Sequence, residues 1–154
     1  MSDTTSMRRA PESGPVVLGL LYPTVWYGDG GALEATVAEI EAIDPRIEVV
    51  VEEYEEGQDM RTKRGRPEHL DEARRRAPSL TDAQRAMFAR VHGVVTIDLP
   101  FEVGELAPNL SWVQAVGAGS AQLQTAGLAQ AGIRLTNAAG ANAVAIAEFV
   151  VGRI

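Results

Sequence analysis

Apolar positions along this chain fall into two kinds of pattern, short unbroken runs and rows at helical spacing. Val16 to Leu21 reads VVLGLL, the continuous run of a strand buried on both faces. Between Ala32 and Ile43, Leu33, Val37 and Ile40 share one helical face, and Glu34, Glu39 and Glu41 fall mostly off it. Asp44-Pro45 ends that helix, because proline disfavours helical backbone in the residue before it. Ile47 to Val51 is β-branched and predicts a second strand. From Ser79 to Val91, Leu80, Ala83, Met87 and Val91 share a helical face. There Thr81 and Gln84 fit a capping box, with Ser79 as a rival cap. Strands are predicted at Val94 to Ile97, Leu110 to Val116 and Arg134 to Thr136, with a short helix from Gln122 to Gln130.

The opening β-α-β unit requires parallel strands and a right-handed crossover. Strands alternating with helices throughout predict an α/β fold, a flavodoxin-like doubly wound parallel sheet of about five strands. The expected domain runs from 14 to 142. Residues 1–13 are polar, carry Arg8 and Arg9, lack an apolar leader segment, and read as a disordered tail. Residues 57–78 have no clean period and read as an insertion or mobile loop, with a polar helix from Glu68 to Arg76. Residues 143–154 form a helix that is apolar nearly all round, interrupted by Glu148 and Arg153. Such a helix needs burial on every face, so it is expected to link to a further domain beyond Ile154; the alternative is that it packs across its own sheet.

Composition narrows the options. Apolar residues make up 45% of 154, enough for one domain with a real core. No cysteine is present, which excludes disulfides and thiolate metal sites. No apolar run is long enough to cross a bilayer, and the expected compartment is the cytoplasm. A net charge of −7 argues against a nucleic-acid or anionic-membrane surface. The charge is uneven, with Glu48, Glu52, Glu53, Glu55 and Glu56 followed by Arg61, Lys63, Arg64, Arg66, Arg74, Arg75 and Arg76. That pattern fits a solvated loop beside an acidic strand end, or a basic patch that recruits an anion.

The most informative loop is Gly117-Ala118-Gly119-Ser120, between a strand and a short helix. Glycines permit a tight turn, and amides opening a helix can meet a carboxylate. The loop is not a dinucleotide fingerprint: Gln122 stands where a third small residue belongs, and Asn137 lies where an acidic residue would hold a ribose. Tyr22-Pro23-Thr24 and Asp98-Leu99-Pro100 follow the first and third strands and would rim the same crevice. Asp98 as a phosphorylatable aspartate would need an acidic cluster where Tyr22-Pro23 stands, and Thr24 alone makes no flavin-phosphate loop. His69 and His92 have no partner at ligand spacing, so no metal site follows, and both read as surface residues. Glu148 reads as a structural hydrogen-bonding group.

From Leu106 to Ile154 the chain reads LAPNLSWVQAVGAGSAQLQTAGLAQAGIRLTNAAGANAVAIAEFVVGRI. It resembles the D-isomer-specific 2-hydroxyacid dehydrogenases at the end of their substrate domain. The shared pattern falls on Leu110, Trp112, Val113 and Gln114; on Ala118 and Gly119; on Gly132, Ile133, Leu135, Thr136 and Asn137; on Gly140; and on Ala147-Glu148. Upstream, from Val16 to Pro100, the match is in element order alone. The resemblance implies that Ala118, Gly119 and Ser120 bind the carboxylate of a small 2-hydroxy or 2-oxo acid, with Tyr22 and Leu99 beside them, and that Asn137, Gly140 and Glu148 act at the hinge. It further implies NAD or NADP as hydride partner, a homodimeric parent, and a catalytic arginine, glutamate and histidine downstream in a nucleotide domain. The chain alone is then expected to be inactive. One departure is Ala121, where the family often has aspartate. The competing expectation is a non-catalytic module of the same fold that binds a small carboxylate or a partner.

Overall fold

The structure is a computed structural model and describes residues 6–28 and 30–153. Its strands are β1 (Val16–Leu20), β2 (Ile47–Val51), β3 (Gly93–Thr96), β4 (Trp112–Ala115) and β5 (Arg134–Thr136). Its helices are α1 (Ala32–Glu41), α2 (Gln58–Arg64), α3 (Leu70–Arg76), α4 (Asp82–Arg90), α5 (Val103–Leu106), α6 (Ala121–Gln124) and α7 (Ala143–Val151). All strand pairs are parallel, in the order β2-β1-β3-β4-β5, as the alternating pattern predicts for a doubly wound flavodoxin-like sheet. Thr81 accepts from the Gln84 amide and the Gln84 side chain accepts from the Thr81 amide, the capping box expected at the start of α4.

Register divides the sheet into two unlike faces. Val17, Val94, Thr96, Val113 and Ala115 lie on one and are buried. They pack with Met87 and Phe88 of α4, Val103 of α5 and Leu123 of α6 in the hydrophobic core. Val95, Trp112, Gln114 and Thr136 lie on the other and are half-buried. The β1–β2 crossover runs one way along the sheet and the later crossovers run the other, which puts their helices on opposite faces, so α1 serves this second face beside β1 and β2. The α7 helix does not cover the remainder. None of its residues is buried, and Val144 is 71% and Phe149 63% exposed. The alternative in which it packs across its own sheet is therefore not realised. Ile154 lies outside the described residues.

Two stretches differ from the sequence expectation. Within the expected disordered tail 1–13, residues 1–5 lie outside the described residues, but Arg8 ties the chain to the domain. The Arg8 amide donates to the Gly132 carbonyl at 2.8 Å, and its guanidinium donates to the carbonyls of Gly104, Ala107 and Leu110. The single turn of α5 leaves carbonyls without helical partners, and an arginine fork satisfies several at once. The expected loop at 57–78 is instead α2, a 3-10 turn at Pro67–His69, and α3, the last of these lying within the polar helix expected from Glu68 to Arg76. It shows no apolar period because charge pairs hold it. The buried residues of α2 and α3 are Arg64 and Ala73.

His92 also departs from a surface role. Its amide donates to the Val17 carbonyl at 2.8 Å, and its Nδ1 accepts from the Val17 amide at 3.0 Å. An accepting nitrogen must be unprotonated, and burial lowers the pKa of the ring from its ordinary 6.5. The unfolded chain therefore binds the proton more readily than the folded one. This contribution to stability is present above about pH 6.5 and is lost as pH falls through the lowered folded value. Melting temperature is expected to drop between about pH 7 and 5, above the range where most carboxylates titrate. The slope should flatten in His92→Asn, whose side-chain oxygen accepts the same bond without titrating. Identical slopes by circular dichroism would dismiss the role.

Candidate functional site

Because every strand is parallel, the loops after β1, β3 and β4 gather at one edge of the sheet. The last rung between β3 and β4 is the Val116 amide to the Thr96 carbonyl, at 2.9 Å. Beyond it Gly117, Ala118 and Gly119 are exposed and Ser120 is half-buried. Three of the turn's carbonyls are occupied: Gly117 accepts from the Ala138 amide, Ala118 from Asn137 Nδ2, and Ser120 from the amides of Leu123 and Gln124. Its amides are not, and among the described residues none of the four N–H groups from Gly117 to Ser120 donates a hydrogen bond. Neither glycine adopts a left-handed φ. A Cβ at Gly119 would meet nothing within 4 Å, so the fold itself does not demand glycine there. The missing side chain leaves room there for an external group to approach the backbone. Helix α6 has only one turn, so the amides, more than a helix dipole, supply the attraction for an anion.

Asn137 couples this turn to the approach of α7. It donates to Ala118 at 2.9 Å, and its Oδ1 accepts from the Ala139 amide at 3.2 Å. Gly140 follows at φ 85°, a conformation that suits glycine, just before α7. Glu148 departs from its expected role: it is exposed, and its carboxylate makes no hydrogen bond among the described residues. Gln122 reaches from α6 to donate to the Ile97 carbonyl at 2.9 Å. A long, engaged side chain at that position and a one-turn helix do not fit the pyrophosphate of a dinucleotide.

Leu99 requires a correction. Its side chain is fully buried in the core, and its carbonyl accepts from Arg64 Nη1. It therefore cannot line a substrate crevice. The reason lies in the insertion. Arg64 reaches in to Glu56 Oε1 at 2.6 Å and to Thr125 Oγ1 at 2.8 Å, with its guanidinium 4.0 Å from the Phe101 ring centroid. Arg61 binds Asp98 through Nε and Nη2, and the Glu56 amide donates to the same carboxylate at 2.7 Å. Lys63 pairs with Asp59 and Glu72. Several of the expected basic-patch charges are thus neutralised within the protein, and Asp98 serves as the anchor of Arg61. Among the described residues no group of three or more histidine, aspartate and glutamate side chains is placed to hold a metal ion.

Tyr22 is half-buried at the end of β1 and stacks on Tyr27, with ring centroids 5.1 Å apart and hydroxyls hydrogen-bonded. Burial, followed by the bond to Tyr22, raises the Tyr27 pKa. Trp26 lies 6.1 Å from the Tyr22 ring and is 52% exposed. Sequence reasoning singled out Tyr22 and missed Trp26 and Tyr27, although their density in one short loop was a visible signal. It also missed Glu56 and Arg64 as partners, which no local pattern reveals.

No family model, curated protein or solved structure matches this chain. The resemblance noted above therefore rests on the ordered residues between Leu106 and Ile154. Among the described residues no helix is long and apolar enough to cross a membrane.

Proposed function

We propose that this chain is the substrate-side portion of an NAD(P)-dependent oxidoreductase acting on the CH–OH group of D-2-hydroxy acids. The observation that carries the reading is the Gly117–Ser120 turn, exposed at the carboxyl end of β4 with its four amides unbonded and room above Gly119. Backbone N–H groups that meet a carboxylate contribute about 1.5–3 kcal/mol each as charge-assisted bonds. They fix one end of a small acid and so orient the neighbouring carbon. The exposed apolar surface of α7 supports its reading as a linker to a nucleotide-binding partner domain. The turn itself does not fit a dinucleotide, so NAD(P) belongs with that domain, together with the catalytic groups. A homodimeric parent and a cytoplasmic setting accompany this reading.

Amide resonances of Gly117 to Ser120 in the labelled chain are expected to shift on titration with millimolar pyruvate. Gly119→Val should weaken that binding about tenfold or more by blocking backbone approach, with folding intact because its Cβ enters open space. Absence of any shift at these four residues would sink the proposal.

A further inference from the structure

We propose that the outer edge of β5 receives an extended peptide from a partner protein, with an apolar residue seated beside Leu135 and an acidic residue opposite Arg134. The inference does not rest on the carboxylate reading.

The two edges of the sheet are finished differently. β2 and β5 are the edge strands. Successive residues of a strand turn their main-chain N–H and C=O groups to opposite sides. The Glu52 amide donates inward to the Leu20 carbonyl, so by that alternation Ile47 and Val49 face outward from β2. Both amides are capped within the chain. Ile47 donates to the Asp44 carbonyl at 2.9 Å, and Val49 to Glu41 Oε1 at 3.0 Å. β5 has no such cover. The Arg134 amide donates inward to the Ser111 carbonyl at 3.0 Å, which turns the main chain of Leu135 away from β4. No group outside the sheet bonds the N–H or C=O of Leu135 among the described residues, and the Asn137 amide donates no bond there. An edge left open in this way is a template for another strand.

A cavity lies along the same edge. It holds about 340 Å3 and is lined by Gln124, Leu128, Ala129, Gln130, Ile133 and Leu135. Leu128 and Ile133 are buried, and Leu135 shares the sheet face of Val113, against the core. Side chains of an added strand alternate between the two faces. A residue paired with Leu135 therefore points toward the cavity, and its neighbours lie on the face of Arg134 and Thr136. No charged residue lines the cavity, which suits an apolar side chain. On the other face Arg134 is exposed and takes part in no ion pair among the described residues. Its charge favours an acidic residue opposite. The open main chain thus calls for an extended occupant, and the two faces set its pattern, acidic beside apolar.

The probe is a capped pentapeptide with leucine at its centre and glutamate on each side of it, added at millimolar concentration to the labelled full chain. Resonances of Leu128, Ile133 and Leu135 are expected to shift, and the Leu135 amide to exchange with solvent more slowly. Replacing the central leucine by serine should weaken binding about tenfold. Replacing both glutamates by lysine should weaken it about fivefold, and Arg134→Glu should reverse that preference. Because Arg134 is exposed, the variant should fold, as a circular dichroism melt would check. Absence of shifts, or shifts at the cavity with unchanged exchange at Leu135, would overturn strand pairing. Equal affinity for the glutamate and lysine peptides would overturn the acidic partner. Dimers of the chain alone in sedimentation, with Leu135 already protected, would assign the edge to a second copy and overturn the peptide as its occupant.

Discussion

Arg64→Ala is expected to lower unfolding free energy by about 3–5 kcal/mol, because it leaves the buried Glu56 carboxylate without its cationic partner. Small domains are stable by only about 5–15 kcal/mol, so the variant should be largely unfolded at modest urea concentrations. Tyr54 also donates to Glu56 Oε1, at 2.9 Å, but a neutral phenol cannot replace a charge. The pair is not saturated, since Glu56 Oε2 and Arg64 Nη2 have no partner among the described residues. Replacing both, as Arg64→Met with Glu56→Leu, should therefore recover most of the loss. Urea unfolding of the two single variants and the double variant measures the coupling. A cost below about 1 kcal/mol for Arg64→Ala would show that α2 and α3 do not depend on this pair.

Leu99→Ala is expected to cost about 2–5 kcal/mol, the range for removing a fully buried leucine from a packed core. The experiment separates two roles that the position alone leaves open. A residue on the crevice wall, truncated, would weaken ligand binding and leave the unfolding midpoint near its original value. A core residue shifts the midpoint and leaves affinity nearly unchanged wherever the chain remains folded. Urea unfolding paired with pyruvate titration reads both quantities. Weakened binding at unchanged stability would reverse the placement of Leu99.

These cases mark what was legible in the sequence. Gly117 to Ser120 could be located because glycine density between a strand and a helix is a local signal, and the structure leaves that turn exposed with its amides unbonded. Asp98-Leu99-Pro100 occupies an equivalent place after β3, yet it is sealed by Arg61 and Arg64. Those residues lie more than thirty positions upstream in a segment whose charges resemble a solvated loop. Glu148 illustrates the opposite error. A lone carboxylate in an apolar helix suggests a buried partner, but the whole of α7 is at the surface and the group needs none.

The sequence by itself determined the five strands, the helices α1, α4 and α7, their order and the parallel sheet, because hydrophobic period and turn residues act over a few neighbours and crossover handedness restricts how they assemble. Only the tertiary structure decided which loops at the sheet edge stay open. That outcome depends on pairings between residues distant in the chain, such as Arg8 with the end of α5, Arg64 with Glu56 and Leu99, and His92 with Val17. Such pairings satisfy buried charges and backbone groups only once the chain has folded, so they leave no periodic trace in the sequence.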